Sequence, residues 1–251
     1  MKLLLLLIST FYTVTTFCQG SGQITYTETI KLELELPEGI DMSGMMSDQL
    51  SHDKVLSFRG MESVYTTHKD TEDQEKEITS DDGSFKMVFK MDAPEEILYT
   101  NLSTKEQYRQ TGFMGKTFLV ESTVEKSKWK LTGEKIKYLG YVCQKAERTE
   151  YIAREDKERM IVAWFTSEIP TPIGPSGYNN LPGAVLMVNI DNGKTEIKAT
   201  DVQLGDIADA ALERPTKGKK VTEEEFDQIV DQKTKELEEE YGGEGSIIVR
   251  G

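Results

Sequence analysis

The sequence predicts a mainly β fold of the α+β class: a curved antiparallel sheet or half-barrel of roughly ten strands with a C-terminal helix packed on it. Three observations carry this. Residues 24–36, ITYTETIKLELEL, alternate apolar and polar side chains with the period of a half-buried strand. From residue 54 onward, short β-prone runs follow one another with glycine-containing turns and short connections, the pattern of an antiparallel meander and not of βαβ units. Only near the C-terminus does a helical period take over.

Along the first strand the even positions are Ile24, Tyr26, Glu28, Ile30, Leu32, Leu34 and Leu36, so six of seven are apolar and one face belongs to a core. Pro37 ends it, having no N–H for the ladder. Residues 38–53 break the alternation, and Ile40, Met42, Met45, Met46 and Leu50 approach a helical stripe, which predicts a short helix or ordered loop. Met42, Met45, Met46 and His52 also invite Cu(I), which soft thioethers select. With one imidazole and no continuing Met-x-x-Met repeat, filling of an irregular apolar gap is the better reading.

Strands resume at 54–60 and 61–69, with Arg59-Gly60 as a tight turn. The acid-rich run 69–77 reads as a solvated connection, because blocks of like charge do not pack. It lacks the oxygen spacing and central glycine of a calcium loop. Further strands are expected at 85–92, 96–102, 106–122 and 129–151, with Asp82-Gly83, Gly112, Gly115, Gly133 and Gly140 at turns or bulges. A charged turn at 154–158 leads into the apolar run MIVAWF (160–165).

Beyond residue 183, AVLMVNI (184–190) is apolar nearly throughout and predicts a mid-sheet strand covered on both faces. Asp191-Asn192-Gly193 marks a hairpin, and Ile197 and Ala199 carry the alternation in its partner. Residues 205–220 hold one helical turn, Pro215 and a basic loop, Lys217 to Lys220. Thr222 and Glu225 form a capping box, the hydroxyl and the carboxylate each able to satisfy an unpaired amide at a helix start. Phe226, Ile229, Val230 and Leu237 then recur at helical spacing up to Tyr241, so a helix over about 222–241 docks on the sheet by one narrow stripe. Gly242 to Ser246 reads as a flexible linker to the IIVR end.

Met1-Lys2 followed by LLLLLIS is a charged n-region and an h-region too short to span a bilayer, which predicts an export leader. Thr16 and Cys18 at −3 and −1 place cleavage after Cys18; lipidation of Cys18 is the alternative, and Phe17 suits it poorly. The domain plan is a leader at 1–18, one β-rich domain at 19–241 and a flexible tail at 242–251, exported to the periplasm or cell exterior. No other run reaches membrane-spanning length. With Cys18 removed, Cys143 has no disulfide partner and reads as a small buried hydrophobe.

The formal net charge of −14, with 44 acids in 251 residues, argues against nucleic acid as a partner. Two histidines and the absence of G-x-S-x-G, H-E-x-x-H or a phosphate-cradling glycine loop leave no catalytic residues, metal ligands or cofactor to name.

The stretch Ser167 to Gly183, SEIPTPIGPSGYNNLPG, holds four of the chain's seven prolines and three glycines between two apolar runs. Trp164, Pro170, Gly174, Pro175 and then Asn180-Leu181-Pro182-Gly183-Ala184-Val185 resemble the GLPGLI family, exported proteins of Bacteroidetes-type bacteria. GQITYTETIKL (22–32), YLGYVCQKA (138–146) and the Pro215…Phe226 close belong to the same resemblance. Asn180, Ala184 and Val185 depart from the family hexapeptide; asparagine tolerates the left-handed backbone that glycine adopts, and Ala184 and Val185 keep the strand apolar. The resemblance implies an exported β-rich protein and brings no catalytic residues.

These readings predict a non-catalytic binding or assembly protein holding an apolar ligand or a peptide on a curved sheet. The alternative is an interaction module that engages an envelope protein through an exposed edge strand or the C-terminal helix. The 167–183 stretch, with Glu168 as its one acid, is expected to be a rigid crossover that delivers Leu181 and the next strand into the core.

Overall fold

A computed structural model describes residues 20–31, 33–35, 49–68, 74–79, 86–91, 96–152, 156–241 and 248–250. The leader, the methionine-rich segment and the turn at Asp82-Gly83 lie outside the described residues. The described strands, in chain order, are β1 (Ser21–Lys31), β2 (Glu33–Glu35), β3 (Gln49–Arg59), β4 (Glu62–Thr67), β5 (Gln74–Thr79), β6 (Lys86–Met91), β7 (Ile97–Asn101), β8 (Glu106–Phe113), β9 (Lys116–Thr123), β10 (Lys130–Tyr138), β11 (Tyr141–Ile152), β12 (Lys157–Thr166), β13 (Ala184–Ile190), β14 (Thr195–Leu204) and β15 (Lys219–Thr222). Helix α1 (Glu223–Tyr241) follows, then β16 (Ile248–Arg250). The fold is mainly β with helix α1 against the sheet, as the periodicity predicts.

Twelve strands form one sheet in the order β10-β11-β12-β13-β14-β1-β3-β4-β7-β8-β9-β15, while β5 pairs with β6 and β2 with β16 in separate ladders. Nearest neighbours in sequence pair as antiparallel hairpins through most of the sheet. β1 joins its two halves, lying between β14 and β3 in an antiparallel register that sets Tyr26 opposite Lys54. Its even residues Ile24 and Tyr26 are fully buried, so the alternation reports the core face correctly.

The turns follow the glycines. Gly60 with φ +59° closes the β3–β4 hairpin, and Met114-Gly115, both at positive φ, close β8–β9. Between β13 and β14, Asp191, Asn192 and Gly193 all take positive φ, which explains why this tripeptide stands there. Strand β13 lies between β12 and β14 and is buried along most of its length.

The chain differs from the sequence reading at three places: Gln74 to Glu77, expected in a solvated connection, belong to β5 and pair with β6; Gln49 to Asp53, expected in a short helix or ordered loop, open β3 along β1; and the third precedes the helix. Lys219 and Lys220, assigned to a basic loop, belong to β15, which adds in parallel to the edge of β9 with Val221 opposite Val120. Four residues with one apolar side chain carry no alternation of their own; the edge of β9 supplies the ladder that makes them a strand. Just beyond, Thr222 N–H donates to Glu225 Oε2 at 3.0 Å and Glu225 N–H to Thr222 Oγ1 at 3.2 Å, completing the capping box. Helix α1 then lays Phe226, Ile229 and Val230 on Phe113, Phe118, Val120 and Val221.

The crossover at 167–183 is itself a piece of the core. Ile169, Ile173 and Leu181 are at most 2% exposed, and Thr171, Tyr178 and Asn179 are also buried. A buried irregular segment must satisfy its own backbone, and this one does so by tight turns: Thr171 N–H donates to Ile169 O and Ile173 N–H to Thr171 O, each at 2.8 Å. Ala184 N–H reaches Ile169 O and Val185 N–H reaches Ile173 O, both at 3.0 Å, which ties the stretch to the start of β13. Tyr26 Oη donates to Val185 O at 2.6 Å from across the sheet, and Trp129 Nε1 donates to Asn179 O at 2.9 Å.

The reach of this crossover also shows the curvature. Gly177 lies against Leu98 of β7 and Gln107 of β8, although β7 stands five places from β13 in the sheet order. Flat strands would put those elements roughly 24 Å apart, so the sheet curls around the crossover. We call that side the inner face. On the outer face, residues 205–218 cross from β14 to β15 and pack Leu212 and Ile207 on Val64, Ile97, Tyr99 and Tyr108.

Candidate functional site

The inner face is closed by the crossover over one half of the sheet and remains open over the other. The opening is a cleft of about 1200 Å³. Leu98, Gly177 and Tyr178 lie at its base, Arg109 and Glu121 on one wall, Glu150 and Arg159 on the opposite wall, and Glu223 and Phe226 of α1 above. It is a polar site. Arg109 and Arg159 face seven carboxylates: Glu96, Glu121, Glu125 and Glu150 from the sheet side, and Glu223, Glu224 and Asp227 from the helix.

Its charged groups are set by two devices. On the first wall, Arg109 pairs with Glu223 at the start of α1 and lies 5.0 Å from the Phe226 ring, so docking of the helix fixes the guanidinium. On the second wall, Arg148 donates to Ser127 Oγ and Glu150, and its guanidinium stacks between Trp129 and Tyr178 at 4.6 and 5.1 Å from the ring centres. Glu150 also accepts from Arg159 Nε and Nη2 at 3.2 and 3.0 Å. Glu150 and Arg159 face each other across the β11–β12 ladder, so the pair is built by register. Burial, followed by the Glu150 charge, pushes the Tyr178 hydroxyl up to about 12, so it stays protonated and available as a donor.

Along the base, Ser122 Oγ donates to Gln107 Oε1 and Gln107 Nε2 to Thr100 Oγ1, both at 3.2 Å, a polar ladder across β9, β8 and β7. Deeper on the same face lie Glu28, His52, Lys54 and Tyr65. Burial raises the Glu28 carboxyl, Lys54 draws it down and Glu96 adds to the rise. Burial and the neighbouring Lys54 lower the His52 imidazole, while Asp53 opposes them.

The signature residues singled out from the sequence serve the crossover. Gly174, Pro175, Leu181 and Gly183 are buried, Trp164 packs against the core, and Pro170 and Pro182 are exposed. Asn180 takes φ +66° and donates from Nδ2 to Asn179 Oδ1 at 2.6 Å. They frame the cleft only through the adjoining Ser176, Gly177 and Tyr178. Cys143 is buried and free, with its thiol pushed up to about 11 by burial and then by the Glu168 charge. His52 is buried on β3, while Met42, Met45 and Met46 lie outside the described residues.

The sequence reading missed Arg109, Arg148, Glu150, Arg159 and Glu223, since charged residues on solvent-facing strands look alike before their neighbours are known. One signal was present: Glu28 is the single polar residue among the even positions of the first strand.

Comparison with known proteins covers part of this architecture. A family model described as a protein of unknown function (Porph_ging) matches residues 147–187, the span from Glu147 in β11 through β12 and the crossover to Met187 in β13. No curated protein matches the chain. Among helices of the described residues, none is long and apolar enough to cross a membrane. The fold is similar to the solved structures of PNGF-II in space groups P21 and C2, each with a TM-score of 0.53, 16% identity and 85% of this chain covered. This chain matches 34% and 33% of those chains, about a third of their length, and the likeness at that identity is one of fold.

Proposed function

We propose that this chain is an exported, non-catalytic binding or assembly protein of the cell envelope that holds an extended peptide segment in the cleft between β7–β9, the 176–178 turn and α1. The leader-like N-terminus and the GLPGLI resemblance support export. The observation that carries the binding reading is the cleft itself, 1200 Å³ in volume and walled on two sides by guanidinium–carboxylate pairs held by register and by helix docking. An apolar ligand would need the apolar part of the inner face, and Ile169, Ile173 and Leu181 of the crossover already cover it. Main-chain amides and carbonyls of a peptide, by contrast, match the Gln107, Ser122, Arg109 and Arg159 side chains that line the opening. The same groups are tied to one another in pairs, which suits recognition better than proton transfer.

Native mass spectrometry of the protein recovered after export tests this. A co-purifying peptide that is lost in an Arg109→Ala/Arg159→Ala variant is the expected result. Retention of an acyl lipid, or turnover of a bound substrate, overturns it.

A second reading, docking of an envelope protein on α1, has one observation in its favour. Residues 232–237 of the helix are exposed, and Leu237 is 42% exposed beyond the part that packs on the sheet. Truncation after residue 231 separates the two: it removes a helix-bound partner and leaves cleft binding intact.

A further inference from the structure

Behind the cleft, the inner face carries a set of polar side chains that the sheet register brings together. Glu28 of β1 stands opposite His52 of β3, Tyr26 opposite Lys54, and Lys54 opposite Thr67 of β4. His52, Lys54 and Tyr65 are 7%, 2% and 3% exposed. Buried polar groups are normally hydrogen-bonded, yet Tyr65 Oη and His52 Nδ1 have no hydrogen-bond partner among the described residues. The Lys54 ammonium donates to Thr67 Oγ1 at 3.2 Å and lies 6.0 Å from the Tyr65 ring. Tyr65 stands beside Tyr26, ring centres 6.0 Å apart, with Glu28 next along the same face of β1, and opposite Leu98, two residues from Glu96; the charges of both carboxylates add to the burial that raises its hydroxyl. Glu28 is felt in turn by Tyr178. Glu96 and Tyr178 line the cleft, so this inner set adjoins it.

Among the described residues, Glu28 feels one ammonium, Lys54, and a second carboxylate, Glu96, and the Tyr65 hydroxyl, with acceptor capacity unused, adjoins them. We propose that this inner end is a pocket for one cationic nitrogen group, a lysine or arginine side chain or a free amino terminus, carried by the peptide in the cleft. The inference rests on the cleft reading above. The incoming N–H groups donate to Glu28, Glu96 and the Tyr65 oxygen, and the added positive charge offsets the repulsion between the carboxylates. Glu28 faces Tyr26 on its own strand, His52 and Lys54 on β3, Tyr65 on β4, Glu96 ahead of β7 and Tyr178 from the crossover. A cation among these groups favours the ionised Glu28 against the burial that raises it, so binding draws a proton off this carboxyl.

The test uses the full chain recovered after export and two acetylated, amidated nonapeptides of glycine and serine, one with a central lysine and one with norleucine. Isothermal titration calorimetry at pH 5.5 in two buffers of different ionisation enthalpy reads both affinity and proton release. The lysine peptide is expected to bind about tenfold tighter or better and to release a proton. Glu28→Gln abolishes the proton release, and Glu28→Gln and Glu96→Gln each remove most of the lysine preference while the norleucine affinity stays. Tyr65→Phe weakens the lysine preference and serves if a glutamate variant fails to fold. Equal affinities with no proton released overturn the cation pocket and leave the peptide reading standing. Failure of both peptides to bind overturns the two together.

Discussion

Tyr26 is the side chain that ties β1 to the start of β13, where the crossover ends. Its hydroxyl is buried, held at 2.6 Å from Val185 O, and burial alone keeps it protonated far above the ordinary tyrosine range. Tyr26→Phe deletes that bond in a dry site and is expected to cost about 1–2 kcal/mol in urea denaturation. Two glycines make a contrasting pair. At Gly183, with φ +151°, a Cβ would be driven into the Thr166 carbonyl, whereas at Gly115, with φ +70°, nothing lies within 4 Å. Gly183→Ala is expected to cost ~3–5 kcal/mol by strain and overlap, and Gly115→Ala about 1 kcal/mol; equal losses in the same denaturation series would refute the close-approach argument. Cys143 gives a pH prediction. Its folded value of about 11 lies above the ordinary 9.0, so the buried neutral thiol contributes stability that is complete below pH 9 and is lost as pH rises toward 11. The slope there is up to about 1.4 kcal/mol per pH unit. Cys143→Ser or Cys143→Ala should flatten the stability curve over that window, and the native thiol should resist a maleimide at pH 8 until the protein is unfolded.

Helix α1 is secured at one end. Phe226 meets Phe118 and Phe113 edge to face, with ring centres 5.3 and 6.2 Å apart, and carries Arg109 on its face. Phe226→Ala is expected to destabilise this arm by roughly 3–5 kcal/mol and to release Arg109 from its fixed position. Hydrogen exchange should then accelerate in β15 and the first turns of α1 while β1 and β13 keep their protection. Protection lost uniformly would argue that the arm is not a separate unit. The helix was legible from its capping box and stripe because both signals lie within a few residues of one another. Strand β15 was not, because its partner β9 is about a hundred residues away in sequence, and only the exposed ladder of that edge makes Lys219 and Lys220 a strand. At the opposite edge, β10 carries Lys130, Lys135 and Lys137 and an irregular register between Leu131 and Lys135. Both features oppose pairing with another chain, which counts against docking through this strand.

Across the molecule, one apolar cluster unites β1, β3, β4, β7, β11–β14 and the crossover, while α1, β15, β8 and β9 have a cluster of their own. Since few apolar contacts join the second to the first, the α1–β9 arm should open locally at lower free energy than the main core, as read by native-state hydrogen exchange. A single exchange rate across both would contradict this division. The cleft lies where these bodies meet, with Glu150 and Arg159 on one and Arg109 and Glu223 on the other. Opening of the arm therefore dismantles the site without unfolding the core, and ligand binding should protect both together.

Fold class, the core face of β1, the covered β13 strand and the capped helix were all determined by the sequence alone, because each rests on the period or turn chemistry of a continuous segment. The same holds for the 167–183 stretch as a crossover that delivers Leu181 into the core. That this crossover plugs the inner face, that the sheet curls around it, and that Glu28, Lys54, Tyr65 and Glu96 share one corner of that face were decided only by tertiary structure. Register across a twelve-stranded sheet brings together residues far apart in the chain, and no local pattern records which charged side chains it will make neighbours.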